Sequence, residues 1–113
     1  MILVTTEYIT GKKLEMIGMV RGTMIQSVHV GKDIMNSFRT LVGGELTSYT
    51  EMMNEARAIA TRRMAEDAEA MGADAVIDIH YTSSSVMQGA AEVLAYGTAV
   101  KIVGDDEKQG NIC

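Results

Sequence analysis

Cysteine occurs once, at the final position, Cys113, so no disulfide can form within one chain and no thiolate cluster can gather around a metal ion there. That usage suits a reducing cytoplasm. Proline is absent, and no linker or low-complexity block interrupts the chain. Long apolar runs are missing as well: "MILV" at the N-terminus gives way at once to polar residues and carries no basic leader, too short for a signal sequence or a membrane span. Cations are scarce, with 10 Lys and Arg against 15 Asp and Glu and a formal net charge of −5. Nucleic acid and anionic membranes need clustered, uncompensated Lys and Arg, so neither is expected as a partner. Arg57, Arg62 and Arg63 alternate with Glu55, Glu66 and Asp67, the pattern of a solvated helix face. The composition describes a soluble, cytoplasmic protein.

What is present is apolar content of 47% in 113 residues, enough for one domain with a single core. The order reads strands, helices, strands. "ILVTT" is a short strand, and Lys13 to Val30 is a β-rich run in which Gly18 and Gly22 permit a bulge or a close backbone approach. One bent strand or two short ones both fit. Ile34, Phe38, Leu41 and Val42 then recur at helical spacing, closed by Gly43-Gly44. A longer helix from Ser48 to Met71 opens with the capping box "SYTE", buries a stripe from Tyr49 through Met52, Ala56, Ala60 and Met64 to Met71, and pairs Arg62 with Glu66 and Arg63 with Asp67. Gly72 stops it.

A strand follows from Ala75, then the polar turn region "TSSSVMQG", then a long strand in "AAEVLAYGTAVKIV", the two forming an antiparallel hairpin. The expected fold class is α+β, a mainly antiparallel sheet with one short and one long helix packed on one face. The domain spans 1–103, and 104–113 is read as a flexible tail.

Strict alternation after Gly72 sets Ala75, Ile77, Ile79 and Tyr81 on one side and Val76, Asp78 and His80 on the other. In the last strand Leu94, Tyr96, Val100 and Ile102 oppose Val93, Ala95, Ala99 and Val103, so neither face is made for water. Each buried aliphatic side chain contributes about 1.5–3 kcal/mol, and two helices cover one face only. The other face is expected to pack against further copies of the chain. The alternative is a monomer whose sheet curls over its own second face.

The stretches "VGGELTSYTEMMNEARAIA", "RMAEDAEAMGADAVIDI" and "EVLAYGTAVKIV" resemble the corresponding parts of the YbjQ family of small bacterial and archaeal proteins, over Met1 to Val103. The Gly43-Gly44-Glu45 turn, Tyr49, Ala56-Arg57 and Gly72-Ala73 fall in the same order without gaps. The resemblance implies an α+β subunit and a ring-like homo-oligomer of five copies. It also brings a description as heavy-metal-binding, which the residues support only thinly. No CxxC, HxxxH or Cys/His cluster is present. Asp78 and His80, two apart on a strand, remain as potential ligands of a divalent metal ion, with Glu92 a third if the hairpin register allows. The favoured reading is a hydrogen-bonded Asp and His at a subunit contact.

No residue is assigned a catalytic role. GxSxG is absent, Ser83 to Ser85 have no adjacent base, and "GMVRG" around Arg21 lacks the lysine and spacing of a phosphate loop. The ten methionines are read mainly as flexible core filling rather than as soft metal ligands. His29 reads as an ordinary strand-end residue and Glu45 as part of a turn. The function expected is that of a binding or scaffold protein with inter-subunit sites for a small ligand or ion. The alternative is a small metal-dependent or acid-base enzyme using Asp78, His80 and Glu92.

Overall fold

The computed structural model describes residues 1–27 and 47–106. Strand β1 is Ile2–Leu3, β2 is Lys12–Ser27, helix α1 is Thr47–Ala70, β3 is Ala75–Met87 and β4 is Ala90–Asp105. The four strands form one mixed sheet in the order β1-β3-β4-β2, with β1 parallel to β3 and the other pairs antiparallel. The fold is α+β. The helix expected over 34–42, the Gly43-Gly44 turn with Glu45, His29, Cys113 and the Ser48 side chain of the capping box lie outside the described residues.

Helix α1 lies against β2 and β4 through a stripe at four-residue spacing, Ala56, Ala60, Met64 and Ala68, each fully buried. Three of the four are alanine, so the helix axis can come close to the sheet. The strand beneath answers with small residues. A β-carbon on Gly22 would overlap the Ala60 carbonyl and the Met64 amide of the helix backbone, and Val20 beside it is 1% exposed. The close approach expected at this glycine is present. Gly72 ends the helix at φ +79°, with its amide donating to the Glu69 carbonyl (2.9 Å) and the Ala73 amide to the Ala68 carbonyl (3.0 Å). Those paired bonds are a Schellman closure, and a left-handed residue there is least costly as glycine.

Two bulges alter the strand readings. The register of β2 against β4 shifts between Met16 and Gly18, so β2 is one irregular strand rather than two. The register of β3 against β4 shifts between Ile77 and His80, which switches the side-chain phase within β3. Val76, opposite Ala99, and Ile79 both join the core under α1, while Tyr81 reaches the Thr61 hydroxyl of the helix at 2.8 Å. Ala75 and Ile77 pair with Val100 and Thr98 on the other face. The strict alternation assigned to 75–81 is therefore corrected: Ile79 and Tyr81 share the helix side with Val76, and not the side of Ala75 and Ile77.

Other expectations shift in detail. The polar region "TSSSVMQG" is mostly strand, since β3 runs to Met87 and the turn is Gln88-Gly89. Arg62 does meet Glu66, at 3.8 Å, but Arg63 donates to the Thr23 carbonyl of β2 (2.6 Å). Across the exposed side of α1 the second ion pair gives way to a clamp on the sheet. Strand β4 continues past Val103 to Asp105, whose carboxylate meets Lys12 at 3.0 Å, and the Asp106 amide donates to Gly11.

Methionine is used in two ways. Met52, Met53 and Met64 are core residues as expected, whereas Met16 is 75% and Met19 73% exposed on β2, and Met71 and Met87 are also exposed. Core filling does not account for these four.

Candidate functional site

The face of the sheet opposite α1 carries the residues singled out for chemistry. The bulge in β3 holds Asp78 at φ +53°, a left-handed conformation that asparagine and aspartate tolerate better than most side chains. It is held there from the N-terminus. The segment after β1 runs on along β3, the Asp78 amide donating to the Thr6 carbonyl (2.8 Å) and the Ile79 amide to the Val4 carbonyl (3.2 Å). Because Asp78 turns at the bulge, its Oδ1 lies 3.2 Å from His80 Nε2, forming the pair. Both side chains are about half exposed.

His80 stands opposite Tyr96 of β4, their rings stacked with centroids 5.5 Å apart and planes at 27°. On the other side of Tyr96 the register places Arg21 of β2. His80, Tyr96 and Arg21 thus stand in register across the three strands, with Asp78 beside His80. Tyr96 and Arg21 were not recognised as neighbours of His80 from sequence, because only the pairing register of β2, β3 and β4 reveals the alignment.

Glu92 is not brought to this pair. It faces Ser84 on β3 and Ile25 on β2, four residues along β4 from Tyr96, a separation of about 13 Å at strand rise. Among the described residues no group of three or more His, Cys, Asp or Glu could hold a metal ion. At this pair the described residues therefore offer an ion one nitrogen and one carboxylate donor, half of what a tetrahedral zinc shell takes.

A cleft of about 380 Å³ opens elsewhere, between the first turn of α1 and the far end of the β3–β4 hairpin, lined by Tyr49, Met52, Met53, Ser83 and Ser85. Asp78 and His80 do not line it. No helix among the described residues is long and apolar enough to cross a membrane.

A family model described as "Putative heavy-metal-binding", that of YbjQ, matches residues 1–103. A UPF0145 protein of Alkaliphilus metalliredigens (strain QYMF) is 63% identical over 103 residues, covering 91% of this chain and 100% of that one. One of Methanosarcina acetivorans is 58% identical over 104 residues, covering 91% and 98%. Among solved structures, a protein of unknown function of the DUF74 family from Pediococcus pentosaceus ATCC 25745 is similar in fold, with TM-score 0.60 at 16% identity over 90% of this chain and 97% of that one. With a family model matched over residues 1–103 and relatives of nearly the same length at such identity, the chain belongs to the YbjQ family.

Proposed function

We propose that the protein is a cytoplasmic homo-oligomeric binding protein, a ring of five copies, whose inter-subunit sites take a small ligand or a metal ion. Exposed apolar side chains carry this reading: Met16 at 75%, Met19 at 73% and Ile25 at 58% exposure stand on the face of β2 that α1 leaves uncovered, and uncovered apolar surface of this kind marks an interaction site.

The site proposed within that assembly centres on Asp78 and His80. Two donors at this pair leave an ion's shell incomplete, so the remaining ligands come from a neighbouring copy or from water. The family's description is in keeping with such a site. Five copies follow from the family resemblance and not from the fold of one chain.

Native mass spectrometry of untagged protein, with metal content measured per chain, tests both parts. The expected result is a multiple of the chain mass, with metal retained after dialysis against zinc and lost on His80→Ala. Single copies at micromolar concentration would end the oligomer reading. Metal absent from the parent, or unchanged in the variant, would end the metal site.

A further inference from the structure

Strand β1 lies beyond β3 in the sheet order, whereas Lys12 opens β2 on the far side of β4, so residues 4–11 have to pass β3 and β4 to connect them. Their backbone is fastened along the way. The Thr6 carbonyl accepts from the Asp78 amide (2.8 Å), the Ile9 carbonyl from the Lys12 amide (3.0 Å) and the Gly11 carbonyl from the Asp106 amide (3.0 Å). This strap crosses the end of the face opposite α1. Val100 and Ala75, paired on that face, are 1% and 0% exposed although the helix lies on the other side.

Between the strap and the sheet a cavity of about 380 Å³ remains. Ile77, Thr98 and Val100 form its floor, and Met16 of β2 borders it. Charged residues stand at its rim: Glu7 from the strap, Lys12 and Lys13 from the start of β2, and Asp106. The Lys12 ammonium is held by the Asp105 carboxylate at 3.0 Å. Glu7 and Lys13, by contrast, form no ion pair with each other or with any other described residue. One uncommitted anion and one uncommitted cation therefore share the mouth of a cavity whose floor is mainly apolar.

Small-molecule sites combine an apolar lining with a few polar groups that fix orientation. A fatty acid would satisfy Lys13 and bring nothing to Glu7, an amine the converse, and a metal cation would be repelled by the lysines. A zwitterion with an apolar body matches the whole set. We infer that this cavity binds a free α-amino acid with an apolar side chain. Its carboxylate meets Lys13, its ammonium group meets Glu7, and its side chain rests on Ile77 and Val100, the two charged contacts supplying orientation and the floor supplying apolar burial. The cavity shares no residue with the Asp78 and His80 pair, so the inference depends on neither the oligomer nor the metal reading.

Titration calorimetry of the untagged protein with L-leucine, isocaproate and isoamylamine tests it, because the second compound lacks the ammonium group and the third lacks the carboxylate. L-leucine should bind saturably, and each of the other two should bind about tenfold more weakly or worse. Lys13→Ala and Glu7→Gln should each weaken L-leucine by about tenfold, while Arg62→Ala, on the exposed side of α1, should leave it unchanged. Glu7 and Lys13 are both exposed, so the variants should keep the parent's melting temperature. Amide resonances of Ile77 and Thr98 in the parent should shift on addition of L-leucine, a readout that needs no variant.

Absence of saturable binding into the millimolar range, with those resonances unmoved, would overturn the site. Isocaproate binding as tightly as L-leucine would overturn the zwitterion by leaving Glu7 without a part. Affinity for L-leucine unchanged in both Lys13→Ala and Glu7→Gln would place the ligand elsewhere and overturn the inference as well.

Discussion

Replacing Gly22 by alanine adds one methyl group where the helix backbone already stands. The new β-carbon would overlap the Ala60 carbonyl and the Met64 amide and lie 3.0 Å from the Arg63 carbonyl carbon. No flexible side-chain end is available to give way. Relief requires lifting α1 from β2, which loosens the packing of Val20 and Met64, 1% and 0% exposed. Overpacking a close-packed site costs about 1–3 kcal/mol, and a backbone-on-backbone clash belongs at the upper end, about 3 kcal/mol. For a domain near this size each kcal/mol moves Tm by about 4–8 °C, so Gly22→Ala should lower Tm by roughly 12–24 °C.

Gly18→Ala in the same strand is the control. Its β-carbon would meet only the terminal methyl of Met71, at 3.3 Å, on a side chain that is itself exposed and free to swing aside. Alanine also reduces the freedom of the unfolded chain, so the net change should stay within about 1 kcal/mol. Thermal unfolding followed by circular dichroism, at one fixed protein concentration because assembly would make Tm concentration-dependent, compares the two. A Gly22→Ala protein melting within about 2 °C of the parent, or a Gly18→Ala protein losing as much, would refute the helix–sheet distance on which this reasoning depends.

Met64→Ala removes a fully buried side chain from the centre of the helix stripe and should cost about 2–5 kcal/mol, read as a lower urea midpoint; a shift under about 1 kcal/mol would show that the core collapses to fill the gap. At Asp78, held at φ +53°, glycine should keep stability within about 1 kcal/mol of the parent, whereas valine, β-branched and ill suited to the left-handed region, should lose about 1–2 kcal/mol. Equal midpoints for Asp78→Gly and Asp78→Val would mean the bulge is not built as described.

Much of the candidate site was legible, though partly for an incorrect local reason. Asp78 and His80 were paired by assuming an undistorted strand, on the side that also took Val76. The side chains do meet, but by way of a bulge that sends Val76 and Ile79 under the helix together. Glu92 could not be placed from sequence because its distance from His80 depends on hairpin register. That register is set by a turn at Gln88-Gly89, further along than the polar composition of 82–89 suggested. The exposed Met16 and Met19 were misjudged for a related reason: hydrophobicity shows that a residue can be buried, and only the placement of the single described helix shows which sheet face is covered.

By itself the amino-acid sequence determined the features that reside in neighbouring residues. The helix from the apolar stripe of Met52 to Ala68, its stop at Gly72 and the apolar character of both faces of β4 belong to this class, because backbone sterics and helical periodicity act over a few residues. The tertiary structure decided what depends on partners far along the chain. The left-handed turn at Asp78 is fastened by Thr6, Arg63 is drawn to Thr23 rather than Asp67, and the alignment of Arg21, Tyr96 and His80 exists only because three strands pair in this register. A hydrogen bond across the sheet joins residues tens of positions apart, and no local pattern records where it will form.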